Sequence, residues 1–344
     1  MERWYNESAV DKKIAYEQIG EKINLPAYAV EKDWWVVQTL TLLLKTEIGK
    51  HLVFKGGTSL SKAWGLIERF SEDIDLAADR SFYKFEGDLN KRERTNLRKI
   101  AKIYTIETLF PELKKMFLDA GLINVDLQIG EITSSDQDPV IINVNYPNVI
   151  DSPGYIQPRV QIEIGCRSLF EPNESRTIIS LVDEQYPTAK FSQEPIQIPT
   201  VVPARTFLEK IFLLHEEFQR PKEKIRVDRL SRHLYDVFQL LKTDYGKQAL
   251  EDKELYTTIV KHRQSFTRVG GVDYNLHQPQ TINPLPPESM LLDWEADYKT
   301  MQEQMIPGNS PDFKDLMIEL SNLKEKINGF DWIMEGEFYK PNKE

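Results

Sequence analysis
Cysteine is nearly missing: the chain of 344 residues holds one, Cys166. No intrachain disulfide can form, and a cysteine-rich zinc site is excluded. With no base near it in sequence, Cys166 is a poor candidate nucleophile. Histidine is scarce, with five residues, and His215 and His233 read as packed helix residues rather than ligands. Long hydrophobic runs are missing too. The longest, near VVQTLTLLL, is too short to span a bilayer. MERWYNESAVDKK is too charged for a secretory signal, so the expectation is a cytoplasmic protein with no membrane partner. An excess of positive charge is also lacking: the net charge is −10. The total does not announce a nucleic-acid binder, although local basic clusters can still make one. No internal repeat or low-complexity tract is present.

What remains is a globular composition, 40% hydrophobic and 28% charged. The length favours two domains. Residues 9–46 carry apolar positions three and four apart, as in Val36, Leu40 and Leu43, and predict helices. HLVF (51–54) predicts a buried strand. Thr58 is expected to cap a helix running to about Glu68, and DIDLA (73–77) a strand. Residues 91–119 read as helical. VIINVNY (140–146), RVQIEIG (159–165) and RTIISLV (176–182) read as strands of an antiparallel part of the sheet. SQEPIQIPTVVPAR (192–205) carries three prolines and marks an extended boundary. The expectation is an α/β domain with N-terminal helices over 1–200 and a helical domain over 201–344. Residues 270–288 read as a long loop. The stripe Phe313, Leu316, Leu320, Leu323 and Ile327 reads as core.

The most informative stretch is FKGGTSLSKAWGLIERFSEDIDL, residues 54–76. In a strand, Asp73 and Asp75 share a face, roughly 7 Å apart. Two like carboxylates repel unless a cation sits between them, and Mg²⁺ takes oxygen ligands. The Gly56-Gly57 turn lets backbone N–H groups approach an anion, and Thr58 and Ser59 add hydroxyls beside a helix start. Together these point to a site for a nucleoside triphosphate and its metals. A tight turn with two surface aspartates is the plainer alternative.

This order resembles the nucleotidyltransferase superfamily of polymerase-β type, with its Gly-Gly/Ser turn and Asp-x-Asp/Glu strand. KGGTSLSKAWGLIERFSEDIDL closely resembles the AbiEii/AbiGii toxin family, toxins of type IV toxin–antitoxin and phage-abortive systems. The likeness extends to VEKDWWV (30–36), RTFLEKIFLLH (205–215), RLSRHLYDVFQL (229–240) and DYKTMQEQMIPG (297–308). One departure is the spacing: fourteen residues separate Thr58 from Asp73, slightly more than is usual. The resemblance implies a polymerase-β-type nucleotidyltransferase domain with a mixed sheet, followed by a mostly helical C-terminal domain. It implies Mg²⁺ in a two-metal site, an NTP substrate, and transfer of a nucleoside monophosphate to a hydroxyl with release of pyrophosphate. A tRNA 3′ end or a protein hydroxyl is the implied acceptor, and an antitoxin the implied partner. The alternative is a nucleotide-binding partner protein that acts without turnover.

Two-metal transfer asks for a third carboxylate on a neighbouring strand. Glu163, mid-strand between apolar residues, is the candidate; facing solvent or pairing with Arg159 or Arg167 is its alternative. Lys55, Gly56, Gly57, Thr58, Ser59 and Arg69 are the expected nucleotide contacts. Arg69 either holds the aspartates, reaches a phosphate, or pairs with Glu72. The resemblance makes Lys210 a phosphate contact and Asp236 an active-site acid. An ion pair of Asp236 with Arg232, one turn away, is the rival. Trp34, Trp35 and Trp64 read as core. KRERTNLRK (91–99) and RPKEKIRVDRLSR (220–232) are strongly basic windows, readable as RNA tracks or as solvated helix faces.

Overall fold
The computed structural model describes residues 3–71, 73–152, 157–306, 308 and 310–338. Glu72 and Pro307, which fall within the stretches quoted above, lie outside the described residues. The chain divides into two compact units: residues up to 65 with 69–201, and residues 66–68 with 202 onward.

In the first unit, helix α1 (Ala9–Ile23) starts on Ser8, whose Oγ accepts from the Asp11 N–H. It stops at Asn24 in the left-handed region, φ 55°. Pro26 then opens α2 (Ala27–Leu43). Strand β1 (Leu52–Lys55) leads directly into α3 (Gly56–Lys62), and β2 (Ile74–Ala78) follows. Helices α4 (Lys91–Tyr104) and α5 (Phe110–Asp119) are joined without a break by a π turn over Thr105–Leu109. Pro111 explains the turn: it has no N–H for the preceding carbonyl, so the helix re-registers just before it. Asn90 and Glu93 close a reciprocal capping box at the start of α4. Strands β3 (Asp126–Ile129), β4 (Val140–Asn145), β5 (Arg159–Gly165) and β6 (Asn173–Ile178) come next. Helix α6 (Leu181–Gln185) and strand β7 (Ile196–Val201) complete the unit.

The seven strands form one mixed sheet in the order β3-β4-β5-β2-β1-β7-β6. The pairs β2/β5 and β1/β7 are parallel and the others antiparallel. The alternation of β4 and β5 fixes which face is buried. Val140, Ile142 and Val144 pair with Ile164, Ile162 and Val160, and Ile74 and Leu76 pair with Ile162 and Ile164. All eight are buried, and α2 packs against β5. A slip of one residue would turn this apolar set to the other face, so burial locks the register.

Three expectations need correction. The helix after the glycines begins at Gly56 and ends at Lys62, so Thr58 lies in its first turn and is not its cap. Gly65 sits at φ 62°, which breaks the helix there despite the apolar spacing that follows. RTIISLV is a strand only to Ile178; Ser180 then caps α6, its Oγ accepting from the Asp183 N–H. The proline-rich stretch is not only extended: residues 196–201 are β7, lying between β1 and β6. Pro199 is tolerated because β7 pairs with β1 at one position only, Phe54 with Thr200.

The second unit is helical: α7 (Pro203–Phe218), α8 (Ser231–Leu241), α9 (Asp244–Glu251), α10 (Lys253–Phe266), α11 (Leu291–Met305) and α12 (Phe313–Asn328). Leu316, Leu320, Leu323 and Ile327 of α12 are buried as core. The loop over 270–288 is held by packing: Tyr274 stacks on His277 at 4.7 Å, and Tyr256 Oη donates to the His277 carbonyl. Among the described residues no helix is long and apolar enough to cross a membrane.

Candidate active site
The register of the sheet decides where the carboxylates go. Asp75 pairs with Glu163 on the parallel neighbour β5 and with Lys55 on the antiparallel neighbour β1. Paired residues of adjacent strands point to the same face, about 5 Å apart. Lys55, Asp75 and Glu163 therefore form one row across three strands, on the face opposite buried Ile74, Leu76, Ile162 and Ile164. All three are half-exposed. A carboxylate pair with a cation beside it, on an apolar sheet, is a place where a multiply charged ligand gains strongly. Glu163 thus stands next to Asp75. Asp73 lies one residue before β2 begins, and its carbonyl is 2.5 Å from Thr58 Oγ1.

The glycine turn is built against this row. Gly56 sits at φ 76°, and a Cβ there would come within 2.1 Å of Asp75 Oδ2. Two independent reasons demand glycine: backbone conformation and the approach of the carboxylate. A Cβ on Gly57 would meet Arg69 Nη2 at 2.5 Å and Ser71 Oγ at 2.7 Å. Arg69 is buried beneath the turn, and its Nη1 donates to the Phe70 carbonyl at 3.2 Å. It supports the glycine backbone. The suggested pairing with Glu72 falls outside the described residues.

Thr58 and Ser59 are engaged within the turn. Both are buried. Ser59 Oγ donates to the Gly56 carbonyl, and Thr58 Oγ1 lies within hydrogen-bonding distance of Ser71 Oγ and the Asp73 carbonyl. Their hydroxyls brace the turn, which leaves the backbone N–H groups and Lys55 as the groups available to an anion. Ser71 was missed by sequence reasoning; its only cue was a small hydroxyl residue two before Asp73.

The VEKDWWV motif proves architectural. Asp33 accepts from the Leu181 N–H and forms a salt bridge with Lys62 of α3 at 2.5 Å. Glu31 accepts from the N–H groups of Val149 and Ile150. Burial pushes the Glu31 carboxyl up to about 7 against those two hydrogen bonds. Trp35 stacks on Tyr146 at 5.1 Å, and Trp34 is core. Cys166 is buried, and burial pushes its thiol up, so it stays protonated.

In the second unit, Lys210 of α7 forms a salt bridge with Asp236 of α8 at 2.8 Å. The carboxylate that was given Arg232 as a rival partner thus meets Lys210. Lys210 Nζ also lies 3.3 Å from His233 Nδ1, one turn before Asp236, and donates to it when the imidazole is neutral. Asp236 is fully buried and Lys210 is 6% exposed. His233, expected as a packed helix residue, stands three residues before Asp236 on the same helix. His215 is packing: its Nδ1 accepts from the Asn283 N–H, and burial together with neighbouring His277 pushes its imidazole down to about 3.

Among the described residues no three histidine, cysteine or acidic side chains converge as a closed metal cage. Of the expected trio Asp73, Asp75 and Glu163, the register sets Asp75 beside Glu163, and Asp73 lies two residues before Asp75, immediately ahead of β2. That donor set fits Mg²⁺, which is ordinarily held by one or two carboxylates together with substrate phosphates and water. Gly56, bare of a side chain, lets the Asp75 carboxylate pack directly against the turn. Gly56→Ala is accordingly expected to displace Asp75 and lower activity about 100-fold, the scale of a 1 Å misplacement. Gly65→Ala, also at positive φ but with nothing within 4 Å, should lose only about 1 kcal/mol of stability and keep its activity. Steady-state rates and melting curves on both variants check this.

Over residues 40–335 the sequence matches a family model described as nucleotidyl transferase AbiEii toxin, type IV TA system. Among solved structures the chain is similar to MenT4, a nucleotidyltransferase toxin from Mycobacterium tuberculosis H37Rv. The identity is 18%, the TM-score 0.44, and the match covers 94% of this chain and 99% of that one. No curated protein matches it.

Proposed function
The chain belongs to the AbiEii family of nucleotidyl transferase toxins of type IV toxin–antitoxin systems, and from that premise we propose that it transfers a nucleoside monophosphate from an NTP to a hydroxyl, by preference at a tRNA 3′ end. The observation that carries this reading is the row Lys55–Asp75–Glu163 pressed against Gly56. The N–H groups of the Gly56-Gly57 turn and the Lys55 ammonium hold the triphosphate, and Arg69, Thr58 and Ser59 keep that turn in shape. Asp75 and Glu163, with Asp73 at the edge, are the residues that would hold Mg²⁺, which when bound offsets charge on the phosphates. The acceptor oxygen bonds to the α-phosphorus, the bond to the bridging oxygen breaks, and pyrophosphate leaves. Glu163, on the open row, takes the hydroxyl proton. Lys210, oriented by Asp236 and His233, is assigned to phosphate charge. The protein is taken to work in the cytoplasm beside an antitoxin.

The acceptor is tested by incubating the protein, Mg²⁺ and each α-labelled NTP with total RNA and, separately, with total protein. Label in small RNA is expected. Label only in protein redirects the acceptor, and label in neither removes the enzymatic reading in favour of a nucleotide-binding partner protein.

Under this reading, pairing and exposure separate the basic residues offered to RNA from those already engaged. Arg220 and Arg226 both bind buried Glu217, Arg98 binds Asp136, and Arg94 donates to the Leu89 carbonyl. Lys91, Arg92, Lys222 and Lys224 are exposed. Lys91→Glu/Arg92→Glu and Lys222→Glu/Lys224→Glu are therefore expected to weaken RNA binding. Each lost phosphate contact should also flatten log affinity against log salt by roughly one unit. NTP binding should be unchanged. Filter binding over a salt series checks this; an unaltered slope in both pairs removes these segments from the RNA track.

A further inference from the structure
We propose that the RNA acceptor, single-stranded at its 3′ end, lies along β5 of the first unit: terminal hydroxyl at Glu163, terminal base on the amides of Gln161 and Asn143, and a phosphate further back on Arg159. The placement rests on the transfer reaction proposed above, which sets the direction of approach. Pyrophosphate leaves toward the Gly56-Gly57 turn at the end of β1. An in-line displacement brings the entering oxygen in from the opposite side. In the sheet, β1 flanks β2 on one side, and β5 and then β4 lie on the other. The acceptor therefore approaches over β5 and β4.

Side chains two apart on a strand share a face, so Arg159, Gln161 and Glu163 form one line at steps of roughly 7 Å. The antiparallel register sets Asn145, Asn143 and Ile141 beside them. All six are half-exposed. The Gln161 and Asn143 amides hydrogen-bond to each other at 3.0 Å. Whichever way the two are turned, that bond uses one carbonyl and one NH₂ group and leaves the other carbonyl and the other NH₂ group to a ligand. A donor beside an acceptor is what the edge of an unpaired base takes, and a single-stranded end presents that edge. The 2′-hydroxyl, on the carbon next to the reacting one, is too near Glu163 to reach this pair; the base of the same nucleotide spans the step. Arg159 lies one step further back. Among the described residues no hydrogen bond or ion pair engages its guanidinium, and a backbone phosphate is the ligand that suits it. A protein hydroxyl would bring neither the base edge nor the phosphate.

The test uses the full chain and fluorescein-labelled pentaribonucleotides that differ only at the 3′-terminal residue, which carries each of the four bases or none. Anisotropy titrations read binding without turnover. Wild type should prefer one terminal base, by at least about tenfold over the abasic end, the scale of one or two hydrogen bonds. Asn143→Leu/Gln161→Leu removes both partners of the amide pair and should keep its melting temperature. It should bind every end alike, at the abasic level. Arg159→Glu should weaken every end by about tenfold and flatten log affinity against log salt by roughly one unit, while Arg159→Lys keeps most of the affinity. The two Arg159 variants and the wild-type preference decide the matter if the double variant misfolds. Stabilisation by Mg²⁺ with a non-hydrolysable NTP should be that of wild type in all of them. A wild type that binds the abasic end as tightly as the others, or Arg159→Glu with unaltered affinity and slope, overturns the proposal. Label transfer to RNA without these binding effects removes the β5 strip and leaves the reaction standing; the binding effects without label transfer leave the strip and remove the reaction.

Discussion
Asp75→Asn is expected to lower nucleotide transfer by at least about 1,000-fold, the loss of roughly 4 kcal/mol of charge stabilisation in the transition state. Its melting temperature without nucleotide should hold or rise. The sign follows from the row. Asp75 and Glu163 are registered neighbours, and two like charges about 5 Å apart repel by roughly 1–3 kcal/mol at effective dielectric constants of 80 to 20. Lys55 on the other side offsets part of this. Removing one charge relieves the remainder, while the amide keeps the volume and does not disturb Gly56. A second readout separates site from fold. Mg²⁺ with a non-hydrolysable NTP should raise the melting temperature of wild type, by the linkage of ligand to folded state, and should do so far less in the variant. Glu163→Gln should follow Asp75→Asn. A Glu163→Gln enzyme with wild-type rates would return Glu163 to the plain role of a solvent-facing strand residue.

Lys210→Ala should give the largest loss of stability, about 3–5 kcal/mol, because it removes the ammonium 2.8 Å from the fully buried carboxylate of Asp236. For a unit of this size each kcal/mol lowers the melting temperature by about 2–4 °C, so differential scanning calorimetry will see it plainly. That loss alone says nothing about catalysis, since any buried ion pair would behave so. The double variant Lys210→Met/Asp236→Leu resolves the two roles. Replacing a buried pair by apolar side chains of similar volume is commonly neutral or stabilising. The double variant should therefore regain stability and remain without transfer activity, with the defect equal for every NTP because a phosphate contact carries no base information. Recovery of both stability and activity would make the pair architectural only.

The strand–turn–helix–strand unit was legible because its residue types are severe choices: two glycines, two alternating aspartates, apolar positions between. Glu163 was legible as a charged residue in a strand of buried neighbours, but its place beside Asp75 is a matter of parallel register, which no local pattern carries. The end of α3 was misread because LSKAWGLIERF keeps a helical apolar spacing while Gly65 turns the chain away. Strand β7 was hidden by Pro199 within it and Pro195 and Pro203 at its flanks; the sheet tolerates Pro199 through sparse pairing to β1. The end of β6 was readable and overlooked: Ser180 and Asp183 form a capping pair. The pairing of Lys210 with Asp236 joins two separate helices and leaves no trace in spacing. The basic windows showed their charges but not the acids, Glu217 and Asp136, that neutralise part of them.

The central claim is that this row of side chains moves a nucleoside monophosphate and releases pyrophosphate. Its most direct test is to supply an NTP labelled at the α-phosphate and, in parallel, the same NTP labelled at the γ-phosphate, with Mg²⁺ and total RNA. Wild type should place α-label in the acceptor and release γ-label as pyrophosphate, and Asp75→Asn should do neither. γ-label appearing in the acceptor, or α-label transfer undiminished in Asp75→Asn, would contradict it.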